Sequence, residues 1–428
     1  MIVWLAAAWA TDHDVPPPVA VEVTAGALPV GPPRRIEVPA GSSLRVALAR
    51  ATPGSTVMLG AGVHRGPLVI DRPLELVGAP GAVLDGGGEG SVLVIAADDV
   101  TVSDLAVVGG GRQPQRDDSG VVVAGDRVTV ERVHVSDAYL GIDLRRTDGA
   151  TVRDCVIDGD PAAAFGLRGD GIRLWESHHA TVERNVLTGV RDLVVWYSDG
   201  DRIVDNRVTG SRYGTHLMHA VDAVVSGNEY HDDVVGIFVM YSERVDLVGN
   251  TVRGADGQAG VGIGLKESDA IRVEANVLVD DTTGLYVDGT PHRVDGVATF
   301  TGNLIAANEV GARFHGPSPG AVFTDDRFVS NRSAVTVDGR ATLAATFDGN
   351  TWSDYAGYDL DSDGIGDLPF EVRSASDALI RREPTLAFLA GTPALALIEL
   401  FGAAFPMFAP TPILIDRRPI LDPHREPR

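Results

Sequence analysis

The chain has 428 residues, and its 59 Asp and Glu against 36 Lys and Arg give a formal net charge of -23. This acidic balance argues against nucleic acid and anionic membrane surfaces as partners, because both attract clustered Lys and Arg. A cationic ligand, a metal ion or a basic protein suits it better. The 50 glycines are typical of a turn-rich β protein. Cys155 is the only cysteine, so no intrachain disulfide can form, and the alternation around it predicts a buried core position.

The amino-terminal residues indicate export. Residues 1–10, MIVWLAAAWA, are apolar and end in the small-residue pattern Ala8-Trp9-Ala10. This is typical of a signal peptide, although the usual basic residues before the apolar run are missing. Residues 11–35 are predicted to be a Pro-rich linker.

Residues 36–91 are predicted to form an amino-terminal cap and the first turns of the fold. The segment SLRVALARA, residues 43–51, has helical spacing of its apolar residues, and alternating strand-like sequence follows it. A short helix at this place would cover the open end of a stack of β-strands.

Residues 92–349 carry an internal repeat. Six related segments return between residues 171 and 290: GIRLWES, LVVWYS, GTHLMHA, GIFVMYS, GIGLKES and GLYVDGT. Between them an asparagine recurs at intervals of 21, 22, 22, 26 and 27 residues, at Asn185, Asn206, Asn228, Asn250, Asn276 and Asn303. Three short strands in each unit of this length predict an all-β fold, a right-handed parallel β-helix. We expect the asparagines to adopt left-handed backbone geometry at bends and to form hydrogen bonds along their column.

The repeated segments predict two faces of one sheet. The second and fourth positions are apolar almost throughout and should face the core, so the third and fifth should point outward. The third positions, called here column one, are Asp143, Arg173, Val194, His216, Phe238, Gly264, Tyr286 and Arg313. The fifth positions, column two, are Arg145, Trp175, Trp196, Met218, Met240, Lys266, Asp288 and His315.

Two Trp and two Met at consecutive outward positions are unusual for a solvated face. Met218 and Met240 should be neighbours, since adjacent strands lie about 4.8 Å apart. His216 should lie beside Met218 on one strand, and His219 is close enough in sequence to join them. Thioether and imidazole ligands favour Cu(I) over hard cations. The alternatives are that this face contacts another protein, or that it is inert.

Several of these segments closely resemble the NosD family of periplasmic maturation factors for nitrous oxide reductase. The strings are SRYGTHLMHA, DDVVGIFVMYSERV, AGVGIGLKESDA, RDLVVWYS and TTGLYVDGTP, within a similarity that covers roughly residues 90–370. The family's most characteristic strings fall on His216, Met218, Met240, Tyr241, Lys266 and Glu267. That some of these residues are copper ligands is an inference from their chemistry.

The resemblance implies a periplasmic role in copper-site assembly of nitrous oxide reductase. It also implies partnership with an ABC-type ATPase and permease pair in the inner membrane and with a copper-carrying lipoprotein. The family is not known as an enzyme. A docking face for such partners is predicted on six residues of the outward face, Trp175, Trp196, Phe238, Tyr241, Lys266 and Glu267.

Residues 350–373 are predicted to be an acidic loop. Its segment DLDSDGIGD places Asp359, Asp361, Asp363 and Asp367 around Gly364, a pattern that supplies oxygen ligands to Ca²⁺. The bidentate Glu of an EF-hand is missing, because Phe370 occupies its place. A structural calcium site and an acidic turn that binds nothing both remain open.

Residues 374–428 are predicted to be an apolar tail. The stretch PTLAFLAGTPALALIELFGAAFPMF is about long enough to span a bilayer, but Gly391, Pro393 and Glu399 interrupt it. It could cap the last turn, dock on a membrane permease or anchor the chain. Docking would make the protein peripheral to the inner membrane.

The main alternative function is binding or modification of a polysaccharide. Many parallel β-helices act on polysaccharides with paired carboxylates on an outward face. The candidate pairs, Asp232/Asp233 and Asp280/Asp281, fall at bends, where acidic residues are ordinary, so we expect no enzymatic activity. The two Trp, expected to be exposed, are the best support for simple carbohydrate binding.

Overall fold

In the computed structural model, the described residues form a long stack of short β-strands with few helices. Almost every strand pairs with its neighbours in parallel, in three sheets. The predicted parallel β-helix is therefore confirmed. The described residues are 30–338, 342–373, 379, 383–389, 392–404 and 412–421. The predicted signal peptide and most of the predicted linker lie outside them, as do parts of the predicted tail.

The first sheet has 16 strands. In chain order they are Arg35–Val38, Ser55–Leu59, Leu74–Gly78, Thr101–Ser103, Thr129–Glu131, Thr151–Arg153, Thr181–Glu183, Arg202–Val204, Val224–Ser226, Glu243–Val248, Asp269–Glu274, Ala298–Thr301, Ala321–Thr324, Thr346–Phe347, Phe370–Val372 and Leu414–Asp416. The second sheet has 13 strands. They are Gly62–Arg65, Ala82–Asp85, Ala106–Val108, His134–Val135, Val156–Asp158, Val186–Thr188, Arg207–Thr209, Glu229–His231, Thr251–Arg253, Val277–Val279, Leu304–Ala306, Arg327–Val329 and Thr351–Trp352.

The third sheet has 12 strands and carries both outward columns, so we call it the site sheet. Its strands are Leu68–Ile70, Leu93–Ile95, Ser119–Val123, Leu140–Arg145, Ile172–Trp175, Asp192–Trp196, Tyr213–Met218, Val235–Met240, Val261–Lys266, Thr283–Asp288, Val310–His315 and Ser333–Val337.

The core is a column of aliphatic side chains enclosed by the three sheets. On the site sheet, Leu174, Val195 and Leu217 stack in register and are fully buried. These are the positions predicted to face inward. Cys155 is also buried, as predicted, and burial raises the pKa of its thiol to about 12. The thiol therefore stays protonated and acts as a small core side chain.

The predicted asparagine ladder is present along one edge of the core. Asn228 Nδ2 donates to Asn250 Oδ1 at 2.9 Å and to the carbonyl oxygen of Ile203, and neighbouring turns repeat this pattern. The prediction of left-handed geometry at the asparagines was wrong. The residue before each asparagine takes the positive φ, for example Arg184 at 52° and Asp205 at 54°. The asparagine side chain must point inward to reach the next turn, so the preceding residue makes the bend.

The stack continues beyond residue 349, where the sequence predicts that the repeat ends. Thr351–Trp352 pairs in parallel with Arg327–Val329 in the second sheet. Leu414–Asp416 pairs in parallel with Thr346–Phe347 in the first sheet. Phe370–Val372 then adds an antiparallel strand. Asp416 Oδ2 accepts a hydrogen bond from Asn350 Nδ2 at 3.1 Å, which closes the ladder. The strand Leu414–Asp416 of the predicted tail thus completes the last turn.

Two α-helices lie near the ends of the described stack. Helix α1, Leu44–Arg50, begins after Ser43, and its buried Leu44, Ala47 and Leu48 join the core cluster. Its role as a cap stays a prediction. Helix α2, Pro393–Ala404, belongs to the tail and is 12 residues long. In the part of the chain that the structure describes, no helix is both long and apolar enough to cross a membrane.

Candidate metal centre

The site sheet aligns both outward columns as the sequence predicts. Trp175 pairs with Trp196, Trp196 with Met218, and Met218 with Met240. In column one, His216 follows Val194 and precedes Phe238. The two thioethers and the imidazole therefore lie on neighbouring strands of one face.

The expectation that Trp175 and Trp196 are exposed was wrong. Trp175, Trp196, Met218 and Met240 are between 3% and 9% exposed. With Val194 they form a second apolar cluster outside the main core, which we call the outer cluster. Large side chains on strands about 4.8 Å apart cover one another, and Tyr197, Phe238 and Tyr241 pack around their edge.

His216 is the polar member of this buried site. Its Nε2 lies 3.3 Å from Met240 Sδ, and its ring stacks on Tyr213 with a centroid distance of 4.6 Å. Its Nδ1 is buried and has no hydrogen-bond partner among the residues that the structure describes. Burial, together with the nearby cations Arg212 and Arg191, lowers the pKa of His216 to about 3. The imidazole is therefore neutral at neutral pH, the state in which it can bind a metal.

The outer cluster ends where the side chains become small or charged. Gly264 follows Phe238 in column one, and a Cβ atom at Gly264 would lie 2.4 Å from the Phe238 ring. Glycine thus lets Phe238 lean across the next strand. In column two Met240 is followed by Lys266, whose Nζ lies 5.7 Å from the centroid of the Tyr241 ring.

His219 lies at the turn after its strand and not on the strand face. Its φ of 53° takes it out of the alternation that orients His216 and Met218. Its ring stacks between Tyr197 and Tyr241, at centroid distances of 4.9 and 5.3 Å. The rings of His219 and Tyr241 border an open cleft of about 380 Å³, which is also lined by Val221, Ser242, Glu243, Glu267, Asp269, His292 and Arg293. The structure therefore gives His219 a different setting from His216, on the rim.

A buried ion-pair network below the outer cluster was not predicted. Asp143 is fully buried and accepts hydrogen bonds from Arg145 at 2.6 Å and from Arg173 at 2.8 and 2.9 Å. Arg173 also reaches Asp117. Buried charges need such partners, because removal of one leaves the other uncompensated. The sequence signal was that Asp143 and Arg173 stand at successive positions of column one, while Arg145 starts column two.

The acidic loop brings together three of its four predicted calcium ligands. Carboxylate oxygens of Asp359, Asp361 and Asp363 lie within 4.8 Å of one another. Hydrogen bonds from the backbone N–H groups of Gly364 and Ser362 lower the pKa of Asp359, whereas repulsion from Asp363 raises the pKa of Asp361. Asp367 instead accepts a hydrogen bond from the backbone of Leu360 at 2.8 Å. Its carboxylate therefore holds the backbone of the loop.

The carboxylate pairs considered for catalysis lie at bends, as the sequence predicts. Asp232 and Asp280 have positive φ values of 55° and 64°. Asp233 accepts hydrogen bonds from the backbone and hydroxyl of Ser211 on the preceding turn. Asp281 accepts one from the backbone of Ala255 in the same way. These four carboxylates shape the corners of the stack.

The three parallel sheets form a β-helix, and one of its outer faces carries a buried group of His, Met and Trp side chains. The chain is therefore a parallel β-helix protein with a candidate soft-metal site. The NosD family model, described as periplasmic copper-binding protein, matches residues 156–357, which include the whole outer cluster. A protein from Pseudomonas aeruginosa, named probable ABC transporter binding protein NosD, is 30% identical over 409 residues, covering 86% of this chain and 89% of that one. The chain belongs to the NosD family.

Further comparisons agree on family and fold. A protein of the same name from Stutzerimonas stutzeri is 28% identical over 405 residues, covering 85% of this chain and 86% of that one. Among solved structures, the catalytic unit of a GH87 alpha-1,3-glucanase from Streptomyces thermodiastaticus has a TM-score of 0.60 at 18% identity, covering 78% of this chain and 71% of that one. At this identity the glucanase shares the fold alone.

Proposed function

We propose that this protein is a non-enzymatic accessory factor for copper-site assembly of nitrous oxide reductase. In this proposal it receives copper in the periplasm from a copper-chaperone lipoprotein and works with an ABC-type ATPase and permease pair. The family description supports a periplasmic copper-binding role, and the relatives' names support the transporter partner. The observation that carries the proposal is the approach of His216 Nε2 to Met240 Sδ at 3.3 Å inside a buried cluster.

The residues of this cluster fit Cu(I). His216, Met218 and Met240 would hold the ion, since imidazole and thioether are the ligands that a soft monovalent copper prefers. The neutral imidazole agrees with a ligand role. The surrounding apolar side chains would keep water away from a bound ion. Copper here is cargo to be passed on.

A docking face for the copper donor and for nitrous oxide reductase would lie beside the cluster. Tyr241, Lys266 and Glu267 are half-buried or exposed at its edge, and His219 lines the adjoining open cleft. Trp175 and Trp196 are too deeply buried to serve as contact residues for a partner protein. Their burial also removes the best support for a simple carbohydrate-binding role.

A titration of the purified protein with Cu(I) against a competing chelator tests the copper proposal. We expect one Cu(I) bound per chain, with loss of binding when Met218 and Met240 are both replaced by Leu. Equal, weak competition by the unsubstituted protein and the variant would mean that the cluster is not a copper site.

The tail would dock on the permease through the exposed face of α2. Leu397 and Leu400 are 62% and 65% exposed, which is unusual for leucines a turn apart on one helix. We expect Leu397→Ser/Leu400→Ser to abolish co-purification with the permease from co-expressing cells, while the melting temperature stays unchanged. Leu360→Ser is the control, because Leu360 is 80% exposed in the acidic loop. Undiminished co-purification of the α2 variant would contradict docking through this helix.

Deletion of the whole tail would be a poorer test. It would remove Asp416, whose Oδ2 accepts hydrogen bonds from Asn350 Nδ2 and Trp352 Nε1. The last turn would lose its closing strand, so loss of the partner could follow from unfolding alone.

Calcium is proposed as a structural ion in the acidic loop. Because Asp359, Asp361 and Asp363 repel one another without a cation, Ca²⁺ at millimolar concentration should raise the melting temperature. We expect Asp359→Asn to remove this increase and Asp354→Asn, at an exposed position nearby, to keep it. An unchanged melting temperature in the presence of Ca²⁺ would show that the loop is an acidic turn without an ion.

A further inference from the structure

Trp196 borders the space where the candidate copper ligands meet. It precedes Met218 in column two, and its ring contacts the His216 ring at a centroid distance of 5.5 Å. It packs in one cluster with Met218 and Met240. Trp175 lies one strand farther away and contacts Trp196 edge to face at 5.9 Å.

The orientation of Trp196 suits contact with an ion on His216. A metal bound to an imidazole nitrogen lies in the plane of the imidazole ring. Trp196 stands at 88° to that plane, so its indole can present a face to such an ion. Tyr213 cannot do so, because it stacks at 30° on the imidazole face.

The indole nitrogen gives no other reason for tryptophan at this position. Trp196 Nε1 is buried without a hydrogen-bond partner in the described structure. A buried N–H group left unpaired is destabilising. Phenylalanine would fill similar space without this cost. Trp175 Nε1 is unpaired in the same way among the described residues, so what sets Trp196 apart is the contact of its large, electron-rich ring with His216. Tryptophan is also the best aromatic partner for a cation.

We propose that Trp196 forms a cation–π wall for Cu(I) bound by His216, Met218 and Met240. The inference rests on the proposed copper site and adds a fourth, non-ligating contact to it. The indole covers the ion on the side that the three ligands leave open, and it selects for a monovalent soft ion with a weakly held hydration shell. An ion in contact with the indole also changes the emission of that one tryptophan.

Anaerobic Cu(I) titration followed by tryptophan fluorescence tests this proposal, with Trp196→Phe compared with Trp175→Phe. Both variants remove one tryptophan from the outer cluster, so they are matched. We expect Cu(I) to quench the unsubstituted protein and Trp175→Phe strongly, and Trp196→Phe only slightly. A desolvated cation–π contact of about 1–2 kcal/mol predicts a Cu(I) affinity about 5- to 30-fold lower for Trp196→Phe.

The results distinguish failure of the cation–π contact from failure of the copper site. If Trp196→Phe and Trp175→Phe bind Cu(I) as tightly as the unsubstituted protein and are quenched equally, the cation–π wall is overturned while the copper site stands. If the unsubstituted protein binds no Cu(I), both are overturned. Should Trp196→Phe not fold, Trp196→Tyr replaces it, and absence of any change in the indole absorption of the unsubstituted protein on Cu(I) binding equally overturns the wall.

Discussion

Replacement of His216 by Leu is expected to lower the affinity for Cu(I) by on the order of 100-fold or more. Changes to groups that merely support a metal ligand typically cost 10–100-fold, and His216 is a buried imidazole that lies against the outer cluster. Its Nε2 already lies 3.3 Å from Met240 Sδ. Competition with a chelator of known Cu(I) affinity measures the change. Met240→Leu should also weaken binding, because it removes one of the two thioethers.

Met58→Leu provides the matched control for these variants. Met58 is half-buried in the first sheet, away from the site sheet, and its loss should leave Cu(I) affinity unchanged. If His216→Leu binds Cu(I) as tightly as Met58→Leu, copper does not bind at His216.

The stability of the protein is expected to fall as pH rises from about 4 to about 8, because the stack contains buried carboxylic acids. Burial raises the pKa of both Asp233 and Asp281 to about 8, and the adjacent Asp232 and Asp280 add repulsion. An acid with a raised folded-state pKa stabilises the fold fully below its unfolded pKa of about 4, and this contribution is lost as pH rises through about 8. The expected slope is about 1.4 kcal/mol per pH unit for each group.

The neighbouring asparagines explain why these acids should be neutral. In the same column Asn308 Nδ2 donates to the carbonyl oxygen of Leu278. Asp233 and Asp281 each have one buried oxygen at the corresponding place, and it has no partner among the described residues. If that oxygen carries a proton, the carboxyl group can donate a hydrogen bond there, as the Nδ2 group of asparagine does.

The double variant Asp233→Asn/Asp281→Asn should therefore melt at a higher temperature than the unsubstituted protein at pH 8 and differ little near pH 4. Asp232→Asn/Asp280→Asn, at the exposed neighbouring residues, is the control and should change the pH dependence far less. Thermal unfolding across pH 4 to 9 measures this, and parallel curves for the two double variants would contradict the account.

The repeat made much of the fold predictable. Because strands stack one turn above another, aligning the repeated segments placed Met218 beside Met240 and Trp175 beside Trp196, and the site sheet has this register. The inward positions were predictable for the same reason, since alternation assigns a face to every strand residue.

The burial of the outer face could not be predicted from alternation. Alternation says that Trp196 points away from the core, but its exposure depends on how neighbouring large side chains cover it. The ion pairs of Asp143 with Arg145 and Arg173 depend on rotamers that no period specifies. The strand Leu414–Asp416 follows the preceding parallel strand of its sheet, Thr346–Phe347, by more than 60 residues, so no local pattern announced it.

X-ray absorption spectroscopy of the Cu(I)-loaded protein reports which atoms bind the copper ion. If His216, Met218 and Met240 hold the ion, the first shell around copper contains one nitrogen and two sulfur neighbours, and the number of sulfur neighbours falls to one in Met240→Leu. A first shell of nitrogen and oxygen alone, unchanged in that variant, would contradict the claim and assign the outer cluster a purely structural role.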